Sequence, residues 1–145
     1  MTIDDYDGVY ELWTNTPGMG LNSTDDSREG IEKYIKRNPN TSFIAVDNDK
    51  TVGAIMAGHD GRRGFIHHMT VSPEYRHMGI ATALVDKVMQ ALKDEGINKT
   101  ALVAFSKNEI GNAFWEAAGF TVRNDLVYRN KEINALEYAP NIYKD

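Results

Sequence analysis

Apolar residues recur every three or four positions in four segments of the chain, which is typical of helices that bury one face. In the longest of these segments, Leu84, Val88 and Leu92 share a side, and Gly96 is placed to end the helix. Thr2 and Ser27 stand where N-caps of the first two helices are expected. The predicted helices are residues 3–13, a segment from Ser27 that stops before Pro39, residues 80–95 and residues 110–118.

Short apolar runs between these helices predict strands. The runs 42–46 and 51–57 are joined by Asp47-Asn48-Asp49-Lys50, which is a hairpin signal. The turn Asp60-Gly61-Arg62-Arg63-Gly64 then leads into a strand at 65–71. Further strands are predicted at 101–105, 120–123 and 126–129. Hairpins followed by a strand–helix–strand unit predict one mixed α/β domain over residues 1–145.

The junction between the strand at 65–71 and the longest helix carries the first candidate site, Arg76-x-x-Gly79-x-Ala81. A helix N-terminus has free backbone N–H groups and a partial positive charge, so it attracts phosphate oxygens. Gly79 keeps the backbone bare there, and Arg76 adds a cation. The junction is neither a Walker A loop nor a G-x-G-x-x-G turn. We interpret it as a diphosphate site, with a simple glycine turn as the alternative.

A second block follows the run 101–105: Asn108-x-x-Gly111-x-x-Phe114-Trp115-Glu116-x-x-Gly119-Phe120. Together the two blocks resemble the GCN5-related N-acetyltransferase (GNAT) superfamily, over about residues 42–130. Within it the chain looks most like small bacterial acetyltransferases with a Gly-His-Asp-Gly-Arg-Arg-Gly segment, here residues 58–64. The resemblance implies a GNAT fold, an α/β fold of the mixed α+β kind. A central, mostly antiparallel sheet is splayed between the strands at 65–71 and 101–105, with helices on both faces.

Members of this superfamily usually begin with a strand before the first helix. This sequence begins almost inside that helix, so we expect the first strand to be lacking or truncated. The loss would leave one edge of the sheet less protected.

The resemblance places acetyl-CoA, as cosubstrate, in the splayed part of the sheet. In relatives, the end of the strand that corresponds to 65–71 polarises the thioester carbonyl and pairs with the pantetheine arm. The loop after this strand binds the pyrophosphate. Asn108 would hydrogen-bond the pantetheine or cap a helix, and Trp115 would pack on the cofactor or fill the core. The cofactor-binding residues implied are Met69, Thr70, Val71, Arg76, His77, Met78, Gly79, Ile80, Ala81, Thr82, Asn108 and Trp115, and no metal is expected.

Acetyl transfer to an amine also needs a proton acceptor, and His67 is the candidate. Regular strand alternation groups His67 with Phe65, Met69 and Val71 and turns His68 to the opposite face, where we expect a structural role. Some similar acetyltransferases have a histidine at the position of His67, while Phe65 replaces the family's other base. The alternative is a structural histidine whose hydrogen bonds are made within the sheet.

The proton donor to the departing thiolate is altered in this sequence. Many relatives have a tyrosine at the position of Trp115, and an indole N–H is not a usable acid. Tyr128, on the last predicted strand, is the candidate substitute, although an ordinary sheet tyrosine is the alternative. Water is another candidate, since a thiolate is a good leaving group.

The acceptor side is the least informative part of the sequence. In relatives the segment 18–21 and the loop after it shape the amine pocket. Asp25 and Asp26 would attract an ammonium group or cap a helix. Arg62, Arg63 and Arg129 would hold an acidic substrate or the cofactor's 3′-phosphate, or simply lie in solvated turns.

Composition limits the partners. A net charge of −5 argues against a nucleic-acid partner, and no apolar run approaches the ~20 residues of a membrane span. No signal peptide is visible, so we expect a cytoplasmic protein. The absence of cysteine favours direct attack by the amine over a covalent intermediate.

The sequence therefore predicts an N-acetyltransferase that moves an acetyl group from acetyl-CoA to a primary amine, with a small molecule as acceptor. One alternative is a protein N-terminal or lysine acetyltransferase. Another is a non-catalytic acyl-CoA binding or sensing module, which Trp115 and Phe65 would suit. A homodimer is compatible with all three.

Overall fold

Four α-helices and four strands make up the fold of residues 1–139, the part of the chain that the computed structural model describes. A short 3₁₀ turn precedes the first helix and another follows the third strand. The helices are α1 (Tyr6–Thr14), α2 (Arg28–Arg37), α3 (Ile80–Asp94) and α4 (Glu109–Ala117), and the strands are β1 (Phe43–Asp47), β2 (Lys50–His59), β3 (Gly64–Val71) and β4 (Thr100–Leu102).

Local signals place the helix ends where the sequence predicts them. The Ser27 hydroxyl accepts a hydrogen bond from Gly30 N–H at 3.1 Å and so caps α2. The Thr2 hydroxyl accepts from Asp4 N–H, as part of a capping box on the first 3₁₀ turn. Gly96, with φ of 78°, follows the end of α3, where only glycine adopts the left-handed conformation at little cost.

The strands form one mixed sheet in the order β1-β2-β3-β4. β1 with β2 and β2 with β3 are antiparallel, whereas β4 runs parallel to β3. The parallel pairing is short, joining Gly64–Ile66 of β3 to Thr100–Leu102 of β4. Beyond Ile66 the two strands are no longer paired, so the predicted splay between them is present.

Helices cover both faces of the sheet. On one face, Ile55 and Ile66 pack with Leu84 and Val88 of α3 and with Trp115 of α4. On the other, Ala54 and Met56 pack with Val9 and Trp13 of α1 and Ile31 of α2. The predicted mixed α/β architecture is thus confirmed. Within residues 1–139, no helix combines the length and apolar character that a membrane crossing requires.

A β-bulge in β3 changes which residues share a face. Met56 of β2 pairs with His68, but the next residue, Ala57, pairs with Ile66. His67 is therefore an extra residue without an opposite partner, and the alternation of side chains is reset at this point.

The prediction that His67 lies with Met69 and Val71, and that His68 faces away from it, is wrong for this reason. The rings of His67 and Tyr34 of α2 meet with centroids 5.3 Å apart, and His68 meets Trp13 of α1 at 5.0 Å. Both histidines thus lie on the side of α1 and α2. Met69 and Val71 pack with the α3 cluster instead.

The strands predicted at 120–123 and 126–129 are not formed within the described residues, and β4 is shorter than the predicted 101–105. A strand needs a paired neighbour and a face to bury. Val122 and Val127 are instead 73% and 75% exposed, and Arg123 is paired with Asp125 at 2.8 Å across a local turn. Farther along the chain, Ser23 N–H donates to Glu137 O and Ala139 N–H donates to Leu21 O. These two bonds tie residues 137–139 to the loop before α2.

Candidate active site

A cleft of about 1320 Å³ opens where β3 and β4 separate. Residues 65–71 of β3 form its floor, with the end of β4 and the first turns of α4 along one side. The loop before α3 and the segment 16–25 also line it. The cleft therefore joins the predicted phosphate site to the predicted acceptor segment.

The loop before α3 leaves the helix N-terminus open. Gly79, with φ of 81°, is the N-cap residue and supplies no side-chain hydrogen bond, and no atom lies within 4 Å of where a Cβ would stand. The first-turn N–H groups of α3 are therefore left for a ligand. Arg76 Nε donates to Val71 O at 3.4 Å, which keeps the guanidinium beside this loop. A bare loop, free donors and a fixed cation suit a pyrophosphate.

Of the predicted cofactor-binding residues, all line the cleft except Met78, which is 68% exposed on the outside of the loop. Those on the cleft wall are Met69, Thr70, Val71, Arg76, His77, Gly79, Ile80, Ala81, Thr82, Asn108 and Trp115. Their roles toward acetyl-CoA stay predictions.

Asn108 and Trp115 both have structural roles beside any contact with a cofactor. Asn108 Oδ1 accepts from Gly111 N–H at 2.9 Å and caps α4, which leaves the amide N–H groups as the donors of this side chain. Trp115 is 9% exposed and packs edge-on against Phe114 and Phe120, each with ring centroids 5.1 Å away. Trp115 is thus mainly a core residue that touches the cleft with one edge.

His67 lies on the cleft floor between Phe65 and Tyr34. Desolvation of the ring by its neighbours lowers the pKa of His67 below its ordinary value of 6.5, although the residue keeps an exposed surface in the cleft, and the charge of His68 lowers it further. Asp26 and Asp25 act in the opposite direction. His67 is therefore neutral at neutral pH, which is the form that accepts a proton.

His68 and Asp26 form a buried pair at the acceptor end, which sequence reasoning missed. His68 Nε2 lies 2.7 Å from Asp26 Oδ1, with the two side chains 15% and 6% exposed. The two residues are 42 positions apart in sequence, and nothing local in the sequence signals the contact.

The remaining candidates separate into those on the cleft and those away from it. Tyr128 lines the cleft and is 66% exposed, but it lies on no strand, so its role as acid stays a prediction. Arg62, Arg63 and Arg129 do not line the cleft. Asp60 Oδ1 accepts the N–H groups of Arg62 and Arg63, each at 2.8 Å, and these bonds lower the pKa of that carboxyl. The arginine pair thus belongs to a turn stabilised by Asp60.

Metal-binding residue types do not converge in the described part of the chain. Over residues 1–139, no three or more His, Asp or Glu side chains lie close enough together to hold an ion.

Comparison with known proteins identifies the family to which this chain belongs. The family model described as the acetyltransferase (GNAT) family matches residues 6–120. The chain belongs to the GNAT family. An acetyltransferase of Photorhabdus laumondii is 33% identical over 106 residues, which are 73% of each chain.

Solved structures agree with this chain in fold. The PaiA N-acetyltransferase of Thermoplasma acidophilum, solved with coenzyme A, superposes with a TM-score of 0.74 at 20% identity, over 85% of this chain and 87% of that one. AAC(6′)-Iy, solved with a CoA-linked acetylneamine bisubstrate analogue, gives a TM-score of 0.68 at 20% identity, over 91% and 95%.

GNAT membership makes the protein an acetyl-CoA-dependent acyltransferase. The geometry fits this cosubstrate, because the open α3 N-terminus and Arg76 line the same cleft as the segment 16–25. The thioester supplies the acetyl group, and this chain's own residues bind and orient the two substrates.

Gly79→Glu should weaken acetyl-CoA binding at least tenfold, about 1.4 kcal/mol. The new side chain would place bulk and negative charge at the open helix N-terminus. Gly96→Glu is the matched control, since Gly96 also has a positive φ and open space around its Cβ position but lies away from the cleft. Isothermal titration with acetyl-CoA measures both variants, and equal affinities would contradict the phosphate assignment.

Trp115→Phe should destabilise the protein by about 1–3 kcal/mol, within the range for a smaller buried side chain, and leave kcat within severalfold. The reason is that Trp115 fills core and its indole N–H cannot serve as an acid. Denaturant unfolding and steady-state kinetics measure the two effects. Val88→Ala, in the same core cluster but outside the cleft, is the control, since it should lower stability and leave kcat unchanged. A collapse of kcat with unchanged stability would show a chemical role for the indole.

Proposed function

We propose that this acyltransferase N-acetylates the primary amine of a small molecule by direct attack on the acetyl-CoA thioester. The observation that carries the proposal is the form of the acceptor end of the cleft. The segment 16–25 lies against the floor, where Met19 contacts Thr70, and Leu136 and Tyr138 from the end of the described chain line the same space. An extended peptide needs an open groove, whereas a small amine fits an end that the chain itself covers.

Several contacts hold this cover in place. Thr70 Oγ1 donates to Met19 Sδ at 2.7 Å, so the segment is joined to β3. Asn22 forms an isolated bridge with Tyr138, which joins it to the end of the described chain. The relation in fold to AAC(6′)-Iy, an aminoglycoside N-acetyltransferase, supports a small amine as acceptor. Because Ard1 of Thermoplasma volcanium also shares the fold, with a TM-score of 0.73, peptides belong in the test.

A thiol-release assay with acetyl-CoA and matched panels of small amines and short peptides tests the proposal. We expect turnover with small primary amines and little with peptides that carry a free α-amino group or lysine. Preference for peptides would favour a protein acetyltransferase. Binding of acetyl-CoA without turnover on any amine would favour a sensing module.

His67 is the proposed proton acceptor. An acceptor that arrives as an ammonium ion must lose one proton before its nitrogen can bond to the acetyl carbon. As that C–N bond forms and the C–S bond breaks, the second proton from nitrogen is lost and the departing thiolate becomes a thiol. His67 is neutral and lies on the floor of the cleft, which supports its assignment as the acceptor of the first proton.

The pH dependence of kcat/KM should reveal this role. Since only neutral His67 accepts a proton, kcat/KM should rise with pH through the pKa of His67, which burial holds below 6.5. Ionisation of the amine adds a second limb at higher pH. His67→Ala should remove the lower limb and reduce kcat by roughly 10²-fold, while His59→Ala, a histidine outside the cleft, should change neither. If His67→Ala keeps both the limb and the rate, His67 is not the base.

We also propose that the protein is a homodimer whose interface includes residues 120–130. Val122, Leu126 and Val127 are 61–75% exposed there, and Val103 and Phe105, which follow the edge strand β4, are also exposed. Exposed apolar segments and edge strands are typical association sites, and a twofold axis would bring the same segment of each copy together.

Val127→Glu should convert the dimer to a monomer because it places a charge in the proposed interface. Size-exclusion chromatography with light scattering measures the mass directly. Val46→Glu, a substitution of an exposed valine on β1 at the opposite edge, should leave the mass unchanged. A monomeric wild-type protein would rule the dimer out.

A further inference from the structure

Asp26 bridges two parts of the acceptor site. Its Oδ1 accepts a hydrogen bond from His68 Nε2 at 2.7 Å, and its Oδ2 accepts from Asn22 N–H at 2.8 Å. Since a carboxylate only accepts, His68 carries its proton on Nε2. One buried side chain therefore links the loop that covers the cleft to the strand that forms its floor.

The surroundings of the pair hold it rigidly. The ring of His68 packs edge-on against Trp13, with a centroid distance of 5.0 Å and an interplanar angle of 68°. The main-chain oxygen of Asp26 accepts from the Tyr6 hydroxyl at 2.7 Å. Both contacts come from α1, so this helix also holds the pair in place.

The position of the pair relative to the bulge connects it to His67. His67 is the extra residue of the bulge, and His68 is the first residue after it that pairs with β2. A bulge is set by the interactions of the residues beside it, because its own residue has no ladder partner. The hydrogen bond from His68 to Asp26 fixes the residue that follows the bulge.

Electrostatics connects Asp26 to His67 in a second way. Burial and the charge of His68 lower the pKa of His67, while the carboxylates of Asp26 and Asp25 raise it. Asp26 therefore acts on His67 through electrostatics as well as through the backbone.

We propose that Asp26 is a positioning residue for acetyl transfer: acting through His68, it holds the acceptor loop and the bulged His67 in their working arrangement. This inference deepens the proposed amine acetyltransferase function and rests on it. His68 is assigned the part of a hydrogen-bond donor to Asp26 rather than that of the base.

The variants that test this differ in one feature each. Asp26→Asn and His68→Ala break the pair, whereas His68→Gln keeps a side-chain N–H donor at a similar reach. Glu29→Gln is the control, because it removes the same charge from a nearby exposed carboxylate that neither lines the cleft nor contacts His68. Circular dichroism and thermal melting establish that each variant is folded.

We expect Asp26→Asn and His68→Ala each to lower kcat/KM for the amine at least tenfold, with the dissociation constant of acetyl-CoA unchanged within twofold. The double variant Asp26→Asn/His68→Ala should lose no more than either single variant, since both remove one unit. His68→Gln should keep at least a third of wild-type kcat/KM, and Glu29→Gln should stay within threefold. Additive losses, or a His68→Gln variant as impaired as His68→Ala, would overturn the assignment.

Amide hydrogen exchange at Asn22 gives a readout that does not depend on activity. Exchange should accelerate at least tenfold in Asp26→Asn, which loses the carboxylate that accepts from this N–H, and stay unchanged in Glu29→Gln. Unchanged exchange in Asp26→Asn would overturn the proposal even if activity falls. If wild type acetylates no amine while exchange responds as expected, the bridging role stands and the proposed function fails.

Discussion

The separation of β3 from β4 after only three paired residues is the constraint on which the rest of the structure depends. A parallel pair that continued would bury this edge of β3 and close the sheet. Because the pairing stops at Ile66, the later residues of β3 present backbone groups to a cleft instead of to a strand. Buried backbone groups need partners, so an open edge inside a cleft is chemically prepared for a ligand with amide groups of its own.

The bulge at His67 brings two consecutive histidines to the same face of β3. Ile66 before it and Met69 after it both pack with the α3 cluster, while His67 meets Tyr34 of α2 and His68 meets Trp13 of α1. In a regular strand, neighbouring side chains point to opposite faces, so only one of the two histidines would lie on this side. One irregular residue thus places both imidazoles on the side of α1 and α2.

Local signals explain why much of the fold and the phosphate loop are predictable from sequence. Ser27, Gly79 and Asn108 act within a few residues of their own positions, as N-cap residues, so spacing is enough to place them. The bulge is different, because it depends on the register of β2 at Met56 and Ala57. The contact between His68 and Asp26 likewise joins residues 42 positions apart. The run 120–129 fails as a strand prediction for a related reason: its apolar pattern is present, but this chain offers it no neighbouring strand.

Charge is distributed along the cleft in a way that the net charge of −5 does not reveal. Arg76 and His77 line the end at α3, whereas Asp25 lines the acceptor end, with Asp26 buried behind it. This suits an anionic diphosphate at one end and a cationic amine at the other. Carboxylates at the acceptor end attract an ammonium ion, but they also favour its protonated, unreactive form. In the proposed mechanism the neighbouring His67 removes this proton, because desolvation lowers its pKa and keeps the imidazole neutral when the cation binds. Under this proposal attraction and deprotonation fall to two kinds of side chain, and the bond between His68 and Asp26 fixes one of the carboxylates relative to β3.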